Sequence, residues 1–195
     1  MIASHSGKCI RFSETDVRPM GRDTMGVRGI TLTGDDVAVD MLVLKEGFDI
    51  LTVSENGYGK RSDPNDYRLQ TRGGKGIKAG VFNDKTGALV NMKLASDEYD
   101  VMLVTSAGII IRMHLEAVSK IGRSTRGVRL MNVREGIVAT VAVTDKDEEA
   151  EVAAPEETAA DLSPEDLAEY AEDAADDAVT ENEAPMSEDS ASDNE

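Results

Sequence analysis

Gln70-Thr71-Arg72-Gly73-Gly74-Lys75-Gly76-Ile77-Lys78 is the clearest of three copies of one phrase. Laid against itself at offsets of 50 and 51 residues, the sequence brings Gly26-Val27-Arg28 over Gly76-Ile77-Lys78 and then over Gly127-Val128-Arg129. The same offsets superpose Ser6-Gly7, Asn56-Gly57 and Ala107-Gly108, each glycine followed four residues on by an arginine, Arg11, Arg61 or Arg112. With a slip of one residue in the first step, Val37, Val39 and Met41 fall on Ala88, Val90 and Met92, and then on Ala139, Val141 and Val143. A period of this length marks a repeat architecture, in which each unit is one supersecondary element that buries its apolar faces against its neighbours.

Working outward from the phrase, each unit opens with two short runs around a glycine turn. These are Met1–Ser4 and Cys9–Phe12, Ile50–Val53 and Tyr58–Arg61, and Val101–Thr105 and Ile109–Met113, which read as β-hairpins. Asn56-Gly57 predicts a type I′ turn, because both central positions of that turn need positive φ. Polar loops follow at Ser13–Arg28, Ser62–Lys78 and His114–Arg129, and then a further alternating strand at Val37–Leu44, Ala88–Leu94 and Ile137–Val143. No repeat carries a convincing amphipathic helix. Short strands with no helices predict an all-β fold, a partial β-propeller of about three blades. Propellers close with four to eight blades, so three leave a sheet edge on either side; the chain is either a piece of a larger propeller or it assembles.

Charge divides the chain in two. Residues 1–144 hold 20 basic and 17 acidic side chains, whereas 145–195 hold 1 basic and 21 acidic. The first part is long enough for a compact domain. The second has too little apolar surface to offset its ordering entropy, and is predicted to be a disordered acidic tail. Within it Ser163-Pro164-Glu165-Asp166-Leu167 has an N-cap, a proline at the first helical position and first-turn acids, the signature of a short transient helix through about Ala178. A single cysteine, Cys9, excludes an internal disulfide and fits a reducing cytoplasm. No apolar run is long enough to span a membrane and no secretory signal opens the sequence, so a cytoplasmic protein without a membrane partner is expected.

The chemistry-bearing residues lie in the phrases. Glycines bare the backbone N–H groups to an anion, and the flanking cations supply charge. The candidate DNA-binding residues are Arg22 and Arg28 in the first copy, Arg72, Lys75 and Lys78 in the second, and Arg123, Arg126 and Arg129 in the third, with Arg18, Arg68 and Lys120 nearby. In a propeller these loops recur at one level of the rim, and a belt of cations along a curved edge suits a bent polyanion. A single such residue is more often an ordinary solvated cation, but the triple recurrence beside glycines favours a binding role for the set. Catalytic signals are missing. Gly73-Gly74-Lys75-Gly76 lacks the spacing and hydroxyl of a P-loop, and His5 and His114 have no ligand spacing with Cys9 or with paired carboxylates. No metal or cofactor site is expected within the chain.

The residues Gln70-Thr71-Arg72-Gly73-Gly74-Lys75-Gly76 resemble the basic box of the gyrase A family of DNA topoisomerase proteins. Arg18-Pro19-Met20-Gly21-Arg22, Gly26-Val27-Arg28-Gly29-Ile30 and Gly57-Tyr58-Gly59-Lys60-Arg61 look like its degenerate repeats. The likeness covers Met1 to Val143. It implies the last three blades of the DNA gyrase C-terminal β-pinwheel, which wraps double-stranded DNA, followed by an acidic tail that tempers wrapping by competing with phosphate for the basic rim. Thr71 stands where the family's box has arginine, which marks this copy as a degenerate one. The resemblance further implies partnership with the remainder of gyrase A and with gyrase B, whose holoenzyme uses ATP and Mg²⁺ to introduce negative supercoils. It gives no nucleophile's role to Tyr58, Tyr67, Tyr99 or Tyr170. Two other readings stand beside it: the corresponding domain of topoisomerase IV, and a protein-interaction propeller whose basic partner binds the tail.

Overall fold

A computed structural model describes residues 1–147 and 152–162. Three hairpins appear where the glycine turns predict them: β1 (Ile2–Ser4) with β2 (Lys8–Ile10), β4 (Asp49–Ser54) with β5 (Tyr58–Ser62), and β8 (Tyr99–Thr105) with β9 (Ile110–His114). The strand predicted after each loop is β3 (Ala38–Met41), β7 (Leu89–Ala95) or β11 (Val138–Asp145), each antiparallel to the first strand of its own hairpin.

The Asn56-Gly57 turn differs from the predicted type I′. The Gly57 N–H donates to Ser54 O at 3.1 Å, so Glu55 and Asn56 are the central pair and Gly57, at φ 80°, takes the left-handed position after them. Gly7 and Gly108 repeat the bond to Ser4 and Thr105, with φ of 85° and 83°. These are three-residue hairpin loops, in which only the glycine has to reach positive φ.

The remaining strands come from the phrases themselves. β6 (Ile77–Lys78) does not join its own hairpin but pairs with β2 of the first, in register Cys9↔Ile77 and Lys8↔Lys78. β10 (Val128–Arg129) pairs in the same way with β5, in register Gly59↔Val128 and Tyr58↔Arg129. The sheets are therefore β3-β1-β2-β6, β10-β5-β4-β7 and β11-β8-β9. Each of the first two blades takes its outermost strand from the repeat that follows. Val27 and Arg28, the first copy of the same dipeptide, form no strand and are exposed.

The opposite edges of the sheets meet. β3 packs on β7 and β7 on β11. Asp40 accepts from Asn91 Nδ2 at 3.1 Å and from Lys93 Nζ at 2.9 Å, and Asn91 Oδ1 accepts from the Val141 N–H at 3.0 Å. The hub is thus built of β3, β7 and β11, and the perimeter of β6, β10 and the phrases. Two cores fill the gaps between blades. One holds Ala3, Cys9, Ile50, Tyr67, Ile77, Leu89 and Met92; the other holds Leu51, Val53, Val101, Leu103, Met113, Leu115, Val128 and Leu130. Ile50 and Leu51 face opposite cores because successive strand residues point to opposite faces. That leaves β4 buried on both sides.

The start of the tail differs from the expectation of disorder. β11 runs to Asp145, and residues 152–162 fold back on the third blade, where Leu162 packs against its core. Backbone carbonyls of the third repeat accept from N–H groups of this segment, and the Arg129 and Asn132 N–H groups donate to its carboxylates, so the segment is held by hydrogen bonds that its composition does not advertise. The transient helix expected from Ser163 lies outside the described residues.

Candidate nucleic-acid interface

The second and third phrases are each placed by the blade before them. Gly76 and Gly127 hold φ of 74° and 87°, and a Cβ on either would lie 2.5 Å from Cys9 O or 2.7 Å from Gly59 O. Only a glycine lets the incoming chain approach a neighbour's backbone that closely. Lateral bonds then tie each phrase to the last: the Gly73 N–H donates to Gly29 O at 2.8 Å and the Thr31 N–H to Gly74 O at 2.8 Å, and the Val81 N–H reaches Thr125 O at 3.4 Å. The three phrases form one continuous run along the perimeter.

The structure sorts the predicted cations into three groups. Arg22, Arg28 and Lys75 are exposed on the run. Arg72 and Arg123 are half-buried and act as staples. Arg72 donates to Asp16 O at 3.3 Å and Arg28 O at 2.6 Å, and Arg123 donates to Asp66 O at 3.0 Å and to Lys78 O. The two arginines are equivalent, and so are their carbonyl partners in the preceding repeat. Arg126 and Arg129 flank Tyr58, their guanidinium carbons 6.0 and 5.2 Å from its ring centre, and Arg129 also donates to the Tyr58 hydroxyl at 2.6 Å. Lys78 is half-buried at the end of β6.

Sequence reading missed the residues that hold these loops in place. Arg11 donates to Pro64 O at 2.6 Å and Arg61 to Val118 O at 2.9 Å, each bonding the next repeat across the gap. Their recurrence four residues after a glycine was the signal. In the third repeat Arg112 turns instead to Asp100, at 2.8 Å, and Asp145 O, at 2.9 Å. Burial alone would raise the Asp100 pKa, but bonds from His114 and Arg112 outweigh it and hold the carboxyl below its ordinary range.

Lys60 had no signal. It is buried beneath the third phrase, its Nζ donating to Gly122 O at 3.2 Å, Thr125 O at 2.5 Å and Arg123 O. Three carbonyls match the three donors of an ammonium. Burial nevertheless pulls the pKa down from 10.5 to about 7, with the Arg123 charge adding to the fall. Because the folded value lies below the unfolded one, the unfolded chain holds this proton more tightly between pH 7 and 10.5. Stability should therefore rise with pH through that window. Urea midpoints at pH 7 and pH 9 should show the rise in the wild type and lose it in Lys60→Met; equal slopes in both would assign it to other groups.

Among the described residues no group of three or more His, Cys, Asp or Glu could hold a metal ion, and no helix is long and apolar enough to cross a membrane. The surface that remains is a glycine-backed run of cations that can neutralise phosphates without reading bases.

A family model described as the DNA gyrase C-terminal domain, beta-propeller, matches residues 1–45, 49–96 and 99–144, one segment for each repeat. The DNA gyrase A protein of Staphylococcus aureus (strain NCTC 8325 / PS 47) is 41% identical over 166 residues, which cover 84% of this chain and 19% of that protein. A solved gyrase A C-terminal domain superposes with a TM-score of 0.68 at 30% identity, covering 73% of this chain and 49% of that one. The C-terminal domain of DNA topoisomerase IV gives the same TM-score of 0.68 at 20% identity, covering 74% and 46%, a likeness of fold.

Proposed function

The chain belongs to the DNA gyrase C-terminal β-propeller family, and on that premise we propose that its three blades bind double-stranded DNA by the phosphate backbone and bend it along the perimeter. The observation that carries this reading is the continuous run of three phrases, with Arg22, Arg28 and Lys75 exposed along it. Lys78, Arg126 and Arg129 extend the track, while Arg72 and Arg123 fix its curvature and leave their charge beside it. In this reading residues 1–144 are the wrapping unit and 145–195 an acidic tail that competes with phosphate. The unit works within a gyrase A protein, together with gyrase B and the remainder of gyrase A, in the cytoplasm. ATP and Mg²⁺ serve the rest of the holoenzyme, where strand passage converts the wrap into negative supercoils.

A gel shift with a duplex of about 40 base pairs tests the reading. If about six cations each neutralise a phosphate, log affinity should fall against log salt with a slope of roughly -5, about a thousandfold loss between 50 and 200 mM salt. The shift should be indifferent to base sequence. No retardation at 50 mM salt would sink the proposal and favour a protein partner instead.

A further inference from the structure

Three of the bonds that join each repeat to the next recur at the end of the described chain with a partner that is not a repeat. From the second repeat to the first, the Gln70 N–H donates to Arg11 O at 2.8 Å, Arg72 donates to Arg28 O at 2.6 Å, and Gly74 O accepts from the Thr31 N–H at 2.8 Å. From the third to the second, the Ile121 N–H donates to Arg61 O at 2.9 Å, Arg123 donates to Lys78 O, and Thr125 O accepts from the Val81 N–H at 3.4 Å. By the same offsets the corresponding groups on the third repeat are Arg112 O, Arg129 O and the Asn132 N–H.

All three are filled by the acidic tail. The Ala153 N–H donates to Arg112 O at 2.7 Å, the Glu157 N–H donates to Arg129 O at 2.9 Å, and Glu156 Oε1 accepts from the Asn132 N–H at 3.0 Å. Three further contacts seat the segment. Glu157 Oε2 accepts from the Arg129 N–H at 3.2 Å, the Ala159 N–H donates to Ser119 Oγ at 3.0 Å, and Leu162 packs on the core between the second and third blades.

We propose that the end of the third blade is a docking surface for an extended peptide segment, and that residues 152–162 occupy it as a terminal cap that mimics an incoming repeat. The mimicry is of hydrogen bonding, not of sequence. A backbone N–H replaces a guanidinium, and a carboxylate oxygen replaces a carbonyl. The charge is inverted, so the cation run that passes from phrase to phrase ends at Glu156 and Glu157. The cap takes the place of the phrase but not of its strand: Ile109 and Ile110, at the positions that receive β6 and β10 in the other blades, stay exposed.

Amide hydrogen exchange on the full chain without DNA tests this independently of the wrapping proposal. The Arg129 and Asn132 amides should be protected, and should stay so in 0.5 M NaCl, because hydrogen bonds rather than diffuse attraction hold the cap. The variant carrying Glu156→Ala and Glu157→Ala should speed both by at least about tenfold, as should Ala153→Pro, which removes a donor. Glu156→Gln with Glu157→Gln keeps an acceptor oxygen at each position and should retain most of the protection. Protection of Leu103 in β8 serves as the control that the blade remains folded. Unprotected Arg129 and Asn132 in the wild type, exchange unchanged in the alanine variant, or protection abolished by salt would each overturn the cap.

Discussion

Gly76→Ala and Gly127→Ala should each lower the melting temperature by about 10 °C or more, whereas Gly26→Ala should lower it by only a few degrees. All three glycines hold positive φ, at 74°, 87° and 74°, which costs a non-glycine residue about 1–3 kcal/mol. The difference is what the new methyl meets. At Gly76 it would lie 2.5 Å from Cys9 O and 2.9 Å from Cys9 C; at Gly127 it would lie 2.7 Å from Gly59 O and 3.0 Å from Gly59 C. These are backbone atoms paired in a ladder, which cannot move aside as a side-chain tip can. Overpacking of this kind adds about 1–3 kcal/mol, for a total of about 2–6 kcal/mol. In a chain of this size each kcal/mol shifts the midpoint by about 2–4 °C. At Gly26 nothing lies within 4 Å. Thermal melting of the three variants side by side decides the matter. Equal losses at all three would mean that these glycines serve their local turns alone and do not lock one blade to the next.

That contrast also shows how far the sequence could be read. The repeats, the hairpins and the placing of cations beside glycines were legible because each is a local pattern of spacing. The sharing of strands was not. Ile77-Lys78 and Val128-Arg129 are strands, and Val27-Arg28 is not, although the three are the same words. Two residues are too few to show alternation, and what makes them a strand is the unpaired edge of β2 or β5 beside them. Arg72 and Arg123 read as phosphate ligands because nothing local announces that backbone carbonyls of the preceding repeat lie within their reach. Asn56-Gly57 misplaces the turn by one position, since a glycine completing a three-residue loop and one inside a two-residue turn leave the same dipeptide. Lys60 stands where the first repeat has Ile10, so the repeat itself argues for an apolar residue there. The docking of Ala153, Glu156 and Glu157 was hidden for a different reason: composition speaks of burial, while these residues are held by hydrogen bonds from the Ala153 and Glu157 N–H groups and to the Glu156 and Glu157 carboxylates.

Removing the charges of Arg22, Arg28 and Lys75 together should weaken duplex binding at 50 mM salt by on the order of a thousandfold, and make the slope of log affinity against log salt shallower by roughly 2.7, one phosphate contact for each side chain. The melting temperature should hardly move, because these side chains are exposed and make no bond that supports a blade. Arg72→Ala with Arg123→Ala should do the reverse in proportion. Each guanidinium bonds two carbonyls of the preceding repeat, and charged hydrogen bonds of this type contribute about 1.5–3 kcal/mol where they are sheltered and less where water reaches them. The pair should therefore lower the midpoint by several degrees, and change the salt slope by less than the exposed triple because bonded guanidiniums are poorly placed to reach phosphate. The two variants thus separate gripping from shaping. Should the exposed triple keep both its affinity and its salt slope, DNA does not follow the run of phrases, whatever the fold; should Arg72→Ala with Arg123→Ala leave the midpoint unchanged, the two staples do not hold the repeats and the curvature of the perimeter must come from the interlocked strands alone.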